Sequence, residues 1–434
     1  MAKFKNPKFK EVPDTQVVGT VAELFAGVGG FRVALSRSNL KTVFSNQWEP
    51  STKIQHASNC YVRNFGDSGH SNVDVAKLSR FSKDQELKVP VTDVLVGGFP
   101  CQDYSVAKSS NSALGLQGKK GVLWWEILRI VSETKPKIVF LENVDRLVKS
   151  PAKQRGRDFA VMLRTLGDLG YEIEWRIANA ADYGFPQRRI RVFIVAVRKK
   201  SKASLTSLDA EKILLTEGIL AKSLPVVKSK SADLFEFTLD ADPSIVSSKF
   251  GLGLIKSPFL NSGVYRNGRV FTRKSEASFS GKKLTLGDVL VDESEIPKEY
   301  WVEAESLEDW KFLKGSKSIE RTHKESGAAY TYAEGSMAFP DLLSNPSRTI
   351  LTAEGGKTPS RFKHIIKIGG RYRRLVPREL ERLSGFPDDW TRFGTNNEEI
   401  NDSRRAFFIG NALVVGMVER VGKEIAKILK DWQN

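Results

Sequence analysis

Cysteine is nearly absent from this sequence: Cys60 and Cys101 are the only two in 434 residues. Two cannot form a disulfide framework for so long a chain. Stability must then come from buried apolar surface, and a reducing cytoplasm is the expected compartment. Histidine is almost as scarce. His56, His70, His323 and His364 lie far apart without ligand spacing, so no metal site is expected. No run is long and apolar enough to span a membrane, and no membrane partner is expected. The opening MAKFKNPKFKEVPD is basic but lacks an apolar stretch, so it is not expected to act as a signal peptide. Internal repeats and low-complexity tracts are missing too.

What is present is an excess of positive charge. Lys and Arg number 68 against 51 Asp and Glu, a net charge of +17. Solvation needs charge, but not charge of one sign; the excess points to a polyanion, with nucleic acid the commonest one. With 40% hydrophobic residues, the chain can bury one large core and a second, smaller one.

Up to about residue 198 short apolar runs alternate with helical periods, the rhythm of a parallel α/β sheet. Val17–Phe25, Val91–Gly97, Lys137–Leu141 and Arg191–Val197 read as strands. Trp124, Ile127, Leu128 and Val131 recur at i, i+3, i+4, i+7 and predict a helix, which Pro136 stops. Residues 199–345 are richer in Lys, Ser and Gly and show little such rhythm; GVYRNGRVFTRK reads as antiparallel strands around a turn. A last helix is predicted from Ala412 to Leu429. The expected layout is a catalytic domain over 1–200, an irregular, mostly β domain over 201–370, and a segment over 371–434 that rejoins the first.

Four motifs carry chemistry. ELFAGVGGF (Glu23–Phe31) follows the first strand, and its glycines permit a tight strand-to-helix turn with close backbone approach to a ligand. Alone it is a weak signal, because the third glycine of the dinucleotide fingerprint is missing. GGFPCQDYS (Gly97–Ser105) is more specific. Cysteine is usually a small buried hydrophobe, and Cys60 in HASNCYVRNF fits that reading. Cys101 instead sits between shaping glycines and proline and the polar Gln-Asp, where a loop can aim its thiol at a substrate. LENV (Leu141–Val144) sets Glu142 at the carboxyl edge of the sheet, either as a helix-start charge or as a carboxyl that hydrogen-bonds a substrate ring. QRRIR (Gln187–Arg191) spaces Arg189 and Arg191 two apart, on one face if in a strand.

Together with RYRRLVPRELERLSGFP (Arg371–Pro387) and GNALV (Gly410–Val414), these motifs resemble, in order, those of the DNA (cytosine-5) methyltransferases of bacterial restriction-modification systems. The match runs from residue 23 to 414, except for 199–345. The resemblance implies a Rossmann-like S-adenosylmethionine-dependent methyltransferase domain with a smaller, irregular target-recognition domain. It implies that Cys101 attacks carbon 6 of a flipped cytosine, Glu142 acts at ring nitrogen 3, Arg191 holds the O2, and Arg189 orders the Cys101 loop and a phosphate. Around the methyl donor it places Phe25, Gly27 and Gly29 along the methionine and ribose, Trp48 on the adenine, and Asp74 at the adenine amine. Phe99, Pro100, Leu123, Asn411, Ala412 and Leu413 complete that pocket. One position departs from the family. The acid expected just before Trp48, gripping the ribose hydroxyls, is Gln47 here, with Glu49 just beyond, and either residue is a candidate for that contact.

Double-stranded DNA is the implied substrate, because a variable insert of about 145 residues is what sequence-specific duplex reading requires. A tRNA cytosine-5 methyltransferase, sharing these motifs, is the alternative. A separately encoded cognate endonuclease and a monomeric state are further expectations. Arg266, Arg269, Arg273 and several Lys of 199–345 are candidates for contacts with guanine or phosphate, with no choice among them. The nucleophile assignment has a direct consequence. Cys101→Ser should abolish transfer of tritiated methyl to duplex DNA while leaving DNA and cofactor binding largely intact. Near-normal turnover by the serine variant would refute the assignment.

Overall fold

The computed structural model describes residues 5–99, 123–199, 208–229, 233–322 and 327–433. The first half runs β1 (Gly19–Leu24), α1 (Gly30–Ser36), β2 (Leu40–Asn46), α2 (His56–Phe65), β3 (His70–Ser71), β4 (Val94–Gly98), α3 (Leu123–Thr134), β5 (Ile138–Val144), α4 (Arg157–Asp168), β6 (Tyr171–Asn179) and β7 (Ile190–Arg198). The helix predicted from Trp124, Ile127 and Val131 is α3; these three side chains and Ile130 are buried, and Lys135 at φ 50° ends the helix just before Pro136.

These strands form seven neighbours of one sheet in the order β3-β2-β1-β4-β5-β7-β6. β3, β2, β1, β4 and β5 pair in parallel, but β7 is antiparallel to both β5 and β6. This corrects the expectation of an all-parallel sheet: Ile190–Arg198 is inserted in reverse between two strands that share a direction. This arrangement is compatible with the Rossmann-like methyltransferase domain that the resemblance implies. Alternation along the strands divides the core. Val21, Val94, Val96, Ile138 and Phe140 pack with α1 and the C-terminal helices on one face. Ala22, Leu24, Leu95, Val139 and Leu141 pack with α3 and α4 on the other.

The second half begins with α5 (Ala210–Lys212), α6 (Ile219–Ser223), β8 (Val226–Lys228), β9 (Phe235–Thr238), α7 (Pro243–Lys249), β10 (Ser262–Arg266), β11 (Arg269–Arg273) and β12 (Ser275–Ala277). The hairpin read from GVYRNGRVFTRK is β10–β11, turning at Asn267 and Gly268, both at positive φ. It does not stand apart: β10 pairs with β6, and the sheet continues β10-β11-β9 to ten strands. Buried polar groups fasten this extension. Arg176 of β6 donates to the carbonyls of Leu214, Leu220 and Leu224, and Glu174 accepts from the N–H groups of Ile219 and Leu220.

The rest is α8 (Leu307–Lys314), the ribbon β13 (Lys317–Thr322) with β14 (Ala329–Glu334), the pair β15 (Ile365–Ile368) with β16 (Arg371–Arg374), α9 (Pro377–Ser384), α10 (Asp402–Asn411) and α11 (Val415–Gln433). The helix expected from Ala412 is α11 and starts three residues later, because Ala412–Val414 is a non-helical link between α10 and α11. Leu413 packs instead against Gly30 at the start of α1. Among the described residues no helix is long and apolar enough to cross a membrane.

A buried polar cluster lies under the turn after β1. Glu23 is fully buried and accepts from the Tyr61 hydroxyl at 3.3 Å, which itself accepts from Arg32 at 3.4 Å. Burial pushes the Glu23 carboxyl up to about 8, against the opposing pull of Arg32. Its folded value exceeds its unfolded one, so its contribution to stability is fully present below pH about 4.5 and is lost as the pH rises through about 8. Glu23→Gln keeps the neutral shape and should remove this loss. Relative to the variant, the wild type should weaken by about 5 kcal/mol across that window in urea unfolding at stepped pH. A pH-independent difference between the two proteins would contradict the raised carboxyl.

Candidate active site

In an open α/β sheet the ligand crevice lies at the carboxyl ends of the strands, where the strand order reverses. Here that point is between β1 and β4, whose neighbours lie on opposite sides. A cavity of about 560 Å³ opens there, within the range of small-molecule sites.

One end of the cavity is built by the turn after β1. Phe25 and Gly27 both have φ 55°, and Gly29 has φ 88° as the residue capping α1. The left-handed backbone lets the chain reverse within three residues, and Gly27 costs least there because it has no Cβ. The Gln47 side-chain oxygen accepts from the Gly27 N–H at 2.7 Å and braces this turn. Beyond it Trp48, 39% exposed, stands at the mouth. Glu49 also lines the cavity; its Oε2 accepts from the Ala57 N–H at the start of α2 at 3.2 Å.

The other end is charged. Glu142 and Arg191 meet diagonally across the antiparallel pair β5–β7, where Arg191 is in register with Val144, and Arg191 Nε lies 2.9 Å from Glu142 Oε1. The pair is in ionic contact, yet the angles are not those of a hydrogen bond, and Oε1 has no hydrogen-bond partner among the described residues. Arg189 is 2% exposed and precedes β7 instead of lying in it, so strand alternation does not set its direction. It donates to the carbonyls of Ile350 at 3.3 Å and Gly410 at 3.0 Å. Burial, with Arg191 nearby, pushes its guanidinium down to about 9. Both arginines nonetheless line the same cavity.

Of the residues predicted for the cofactor, Phe25, Gly27, Gln47, Trp48, Glu49, Phe99, Asn411, Ala412 and Leu413 line this one cavity with Glu142, Arg189 and Arg191. Three predicted residues do not line it. Gly29 packs on the Phe65 ring, Asp74 accepts from the Ala76 N–H, and Leu123 starts α3 against the core. Cys101 and Pro100 lie outside the described residues. Cys60 is the buried hydrophobe expected, its thiol pushed up by burial and directed at the Trp390 carbonyl. Arg273 is fully buried against Glu211 at 2.5 Å, Arg269 pairs with Glu236, and Arg266 bonds the Leu208 carbonyl. The three arginines offered as base readers are thus engaged within the sheet extension.

Sequence reasoning missed Asn143. It lines the cavity and donates to the Phe99 carbonyl at 2.9 Å, tying the end of β5 to the chain leaving β4. Its position beside Glu142 in ENV was the available signal. Val28, Phe31 and Phe408 add apolar wall that no motif marked. A glycine turn, an aromatic ring and a carboxylate at one end fit the adenosyl and methionine parts of S-adenosylmethionine. The acid and two arginines at the other fit a polar heterocycle.

Comparison with known proteins agrees with this geometry. A sequence model described as C-5 cytosine-specific DNA methylase matches residues 19–427. The chain is 44% identical over 415 residues to the type II methyltransferase M.Sau3AI of Staphylococcus aureus, covering 94% of this chain and 95% of that protein. It is 34% identical over 189 residues to M.HhaI of Haemophilus parahaemolyticus, covering 43% of this chain and 52% of that one. The fold is similar to that of an S. pombe Dnmt2 methyltransferase, with a TM-score of 0.55 at 15% identity over 95% of this chain and 99% of that one. From the order of its motifs, the cavity at its strand switch and these matches, the chain belongs to the C-5 cytosine-specific DNA methylase family.

Proposed function

We propose that this enzyme transfers a methyl group from S-adenosyl-L-methionine to carbon 5 of a cytosine within a specific double-stranded DNA sequence, with Cys101 as nucleophile. The observation that carries the reading is the meeting of Glu142, Arg189 and Arg191 in the cavity that also holds the glycine turn, Trp48 and Glu49. β4 ends beside it and leads directly into Pro100 and Cys101. The family match favours DNA over the tRNA alternative.

The chemistry follows from the base. Carbon 5 of cytosine is a poor nucleophile, so the Cys101 thiolate first forms a bond to carbon 6. Ring nitrogen 3 takes a proton or hydrogen bond from Glu142, and the former double-bond electrons become available at carbon 5. Arg191 turns its guanidinium to the O2 and stabilises the developing charge. S-adenosylmethionine, when bound, supplies a methyl group on a sulfonium, a good leaving group. A base then takes the proton from carbon 5, the electron pair re-forms the double bond, and the Cys101–carbon 6 bond breaks. A stacked base hides carbon 6, so the cytosine must first swing out of the duplex. Arg189, held on two carbonyls, positions Arg191 and the entering loop. Reading of flanking base pairs falls to the 201–370 region, which the motifs largely leave uncovered. The setting is a cytoplasmic restriction-modification system in which a monomeric enzyme protects DNA from a separate endonuclease.

Base-resolution mapping of DNA from expressing cells should reveal one methylated sequence. A duplex with 5-fluorocytosine at that site should trap the enzyme as a band on a denaturing gel, because fluorine cannot leave as a proton does. Unmodified DNA, or methyl transfer to tRNA instead, would overturn the reading.

The ribose contact is assigned to Glu49. The Gln47 oxygen is taken by Gly27, which leaves that residue only its amide donor, whereas Glu49 keeps one carboxylate oxygen for a hydroxyl. Glu49→Gln should bind S-adenosylhomocysteine about tenfold more weakly and lose the wild-type preference over its 2′-deoxy analogue in calorimetry. Gln47→Leu should weaken both ligands alike. If Gln47→Leu erased the preference instead, the two roles would be reversed.

A further inference from the structure

The segment between α7 and β10 carries an apolar tip in solvent. Residues 252–256 (LGLIK) are all exposed, with Ile255 at 89%, Leu252 at 60% and Leu254 at 45%. Exposing three aliphatic side chains on one short tip costs solvation free energy unless something covers them. The tip is held at both ends. Gly251 sits so close to the Arg155 backbone that a Cβ would collide with it. Gln154 donates to the Ser247 carbonyl at 3.1 Å, and the Ser257 hydroxyl donates to the Val148 carbonyl at 2.5 Å. Phe259 is buried among Phe159, Trp175, Phe237 and Phe250.

Those anchors also locate the tip. Val148 lies four residues beyond Val144, which lines the cavity, in the turn that follows β5; α4 then runs back from Arg157. The tip therefore stands at the carboxyl edge of the sheet, on the same side as the site. Its surroundings are basic. Lys249 and Lys256 flank it, and Lys149 and Lys153 are exposed on the segment it is pinned to. None of these four lysines forms an ion pair among the described residues, whereas Arg266, Arg269 and Arg273 are all engaged.

We propose that residues 252–256 form a wedge that docks on the DNA duplex beside the target cytosine, with Leu252, Leu254 and Ile255 against sugars and base edges and the lysines on the flanking phosphates. The inference rests on the DNA methyltransferase reading above. Extruding a base breaks stacking, and apolar side chains pressed between or against base steps are a way to compensate. Unpaired lysines on both sides of an apolar tip complement a surface whose bases are bordered by phosphates. Its three aliphatic side chains carry no hydrogen-bonding group for a base edge, so they act on duplex deformation and not on sequence.

The test uses full-length enzyme with Leu252→Ser, Leu254→Ser and Ile255→Ser combined, and separately Lys249→Ala with Lys256→Ala. Substrate duplex binding is read by fluorescence anisotropy, extrusion by 2-aminopurine fluorescence at the target position, and S-adenosylhomocysteine binding by calorimetry. The serine variant should bind duplex at least tenfold more weakly and lose most of the 2-aminopurine signal, with cofactor affinity unchanged. The lysine variant should reduce the slope of log affinity against log salt by about 0.9 per lysine. If the serine variant bound and extruded like the wild type, the wedge would be refuted. Loss of binding to phosphatidylglycerol vesicles, or of self-association in sedimentation, with duplex binding intact, would assign the tip to a membrane or protein partner instead. A wild-type protein that bound no duplex would overturn the functional reading itself.

Discussion

The arrangement of the site depends on one buried cation. Arg189 is sequestered from water, and a guanidinium in that position is tolerated only where carbonyl oxygens or a carboxylate receive it. Its acceptors are Ile350 and Gly410, 161 and 221 residues away in sequence. A single side chain thus ties the entry to β7, the strand-poor segment before β15, and the end of α10. The tie holds the Ala412–Val414 break over the glycine turn. It also sets Arg191, two residues on, in contact with Glu142. Gln187 reinforces it from the same loop, donating to the Leu383 carbonyl and accepting from the Ile350 N–H at 3.3 Å each.

Around this tie the site divides its work. The glycine turn, Trp48 and Glu49 belong to β1, β2 and their exits and form a cradle without strong positive charge. Glu142, Arg189 and Arg191 belong to β5 and β7 and form a polar end that is partly unsatisfied, since Glu142 Oε1 lacks a hydrogen-bond donor among the described residues. An unsatisfied buried oxygen costs stability in the free protein. Such a group has hydrogen-bonding capacity left for a ligand, and the reversed β7 is what brings Arg191 against it. A parallel strand in that place would run the other way and carry Arg191 to the amino edge of the sheet.

The sheet also reaches beyond the catalytic half. Strands β10, β11 and β9 continue it, so the region that carries the apolar tip is rigidly continuous with β6. Arg176 and Glu174 secure this junction through backbone groups of α6, which commits charged side chains of the extension to structure. Net charge of +17 describes the whole molecule. Which cations remain available to a polyanion is decided by pairing, and among the described residues pairing leaves the lysines around 249–256 without acid partners.

By itself the sequence determined the reacting groups and the elements that end in them. Short continuous apolar runs located β1, β4, β5 and β7, and a 3.6-residue period located α3, because strands buried on both faces and one-sided helices leave local marks in the sequence. FAGVGGF, PCQ, ENV and QRRIR were legible because loops at strand ends need particular residue types for turns and chemistry. Tertiary structure alone decided the direction of β7, the inward aim of Arg189, the brace from Gln47 to Gly27, and the joining of β9–β11 to the sheet. It likewise moved the start of the final helix from Ala412 to Val415, because Leu413 packs against Gly30. Each of these depends on groups brought together from tens to hundreds of residues apart, and no local pattern records which distant backbone oxygen or N–H will be left in need of a partner.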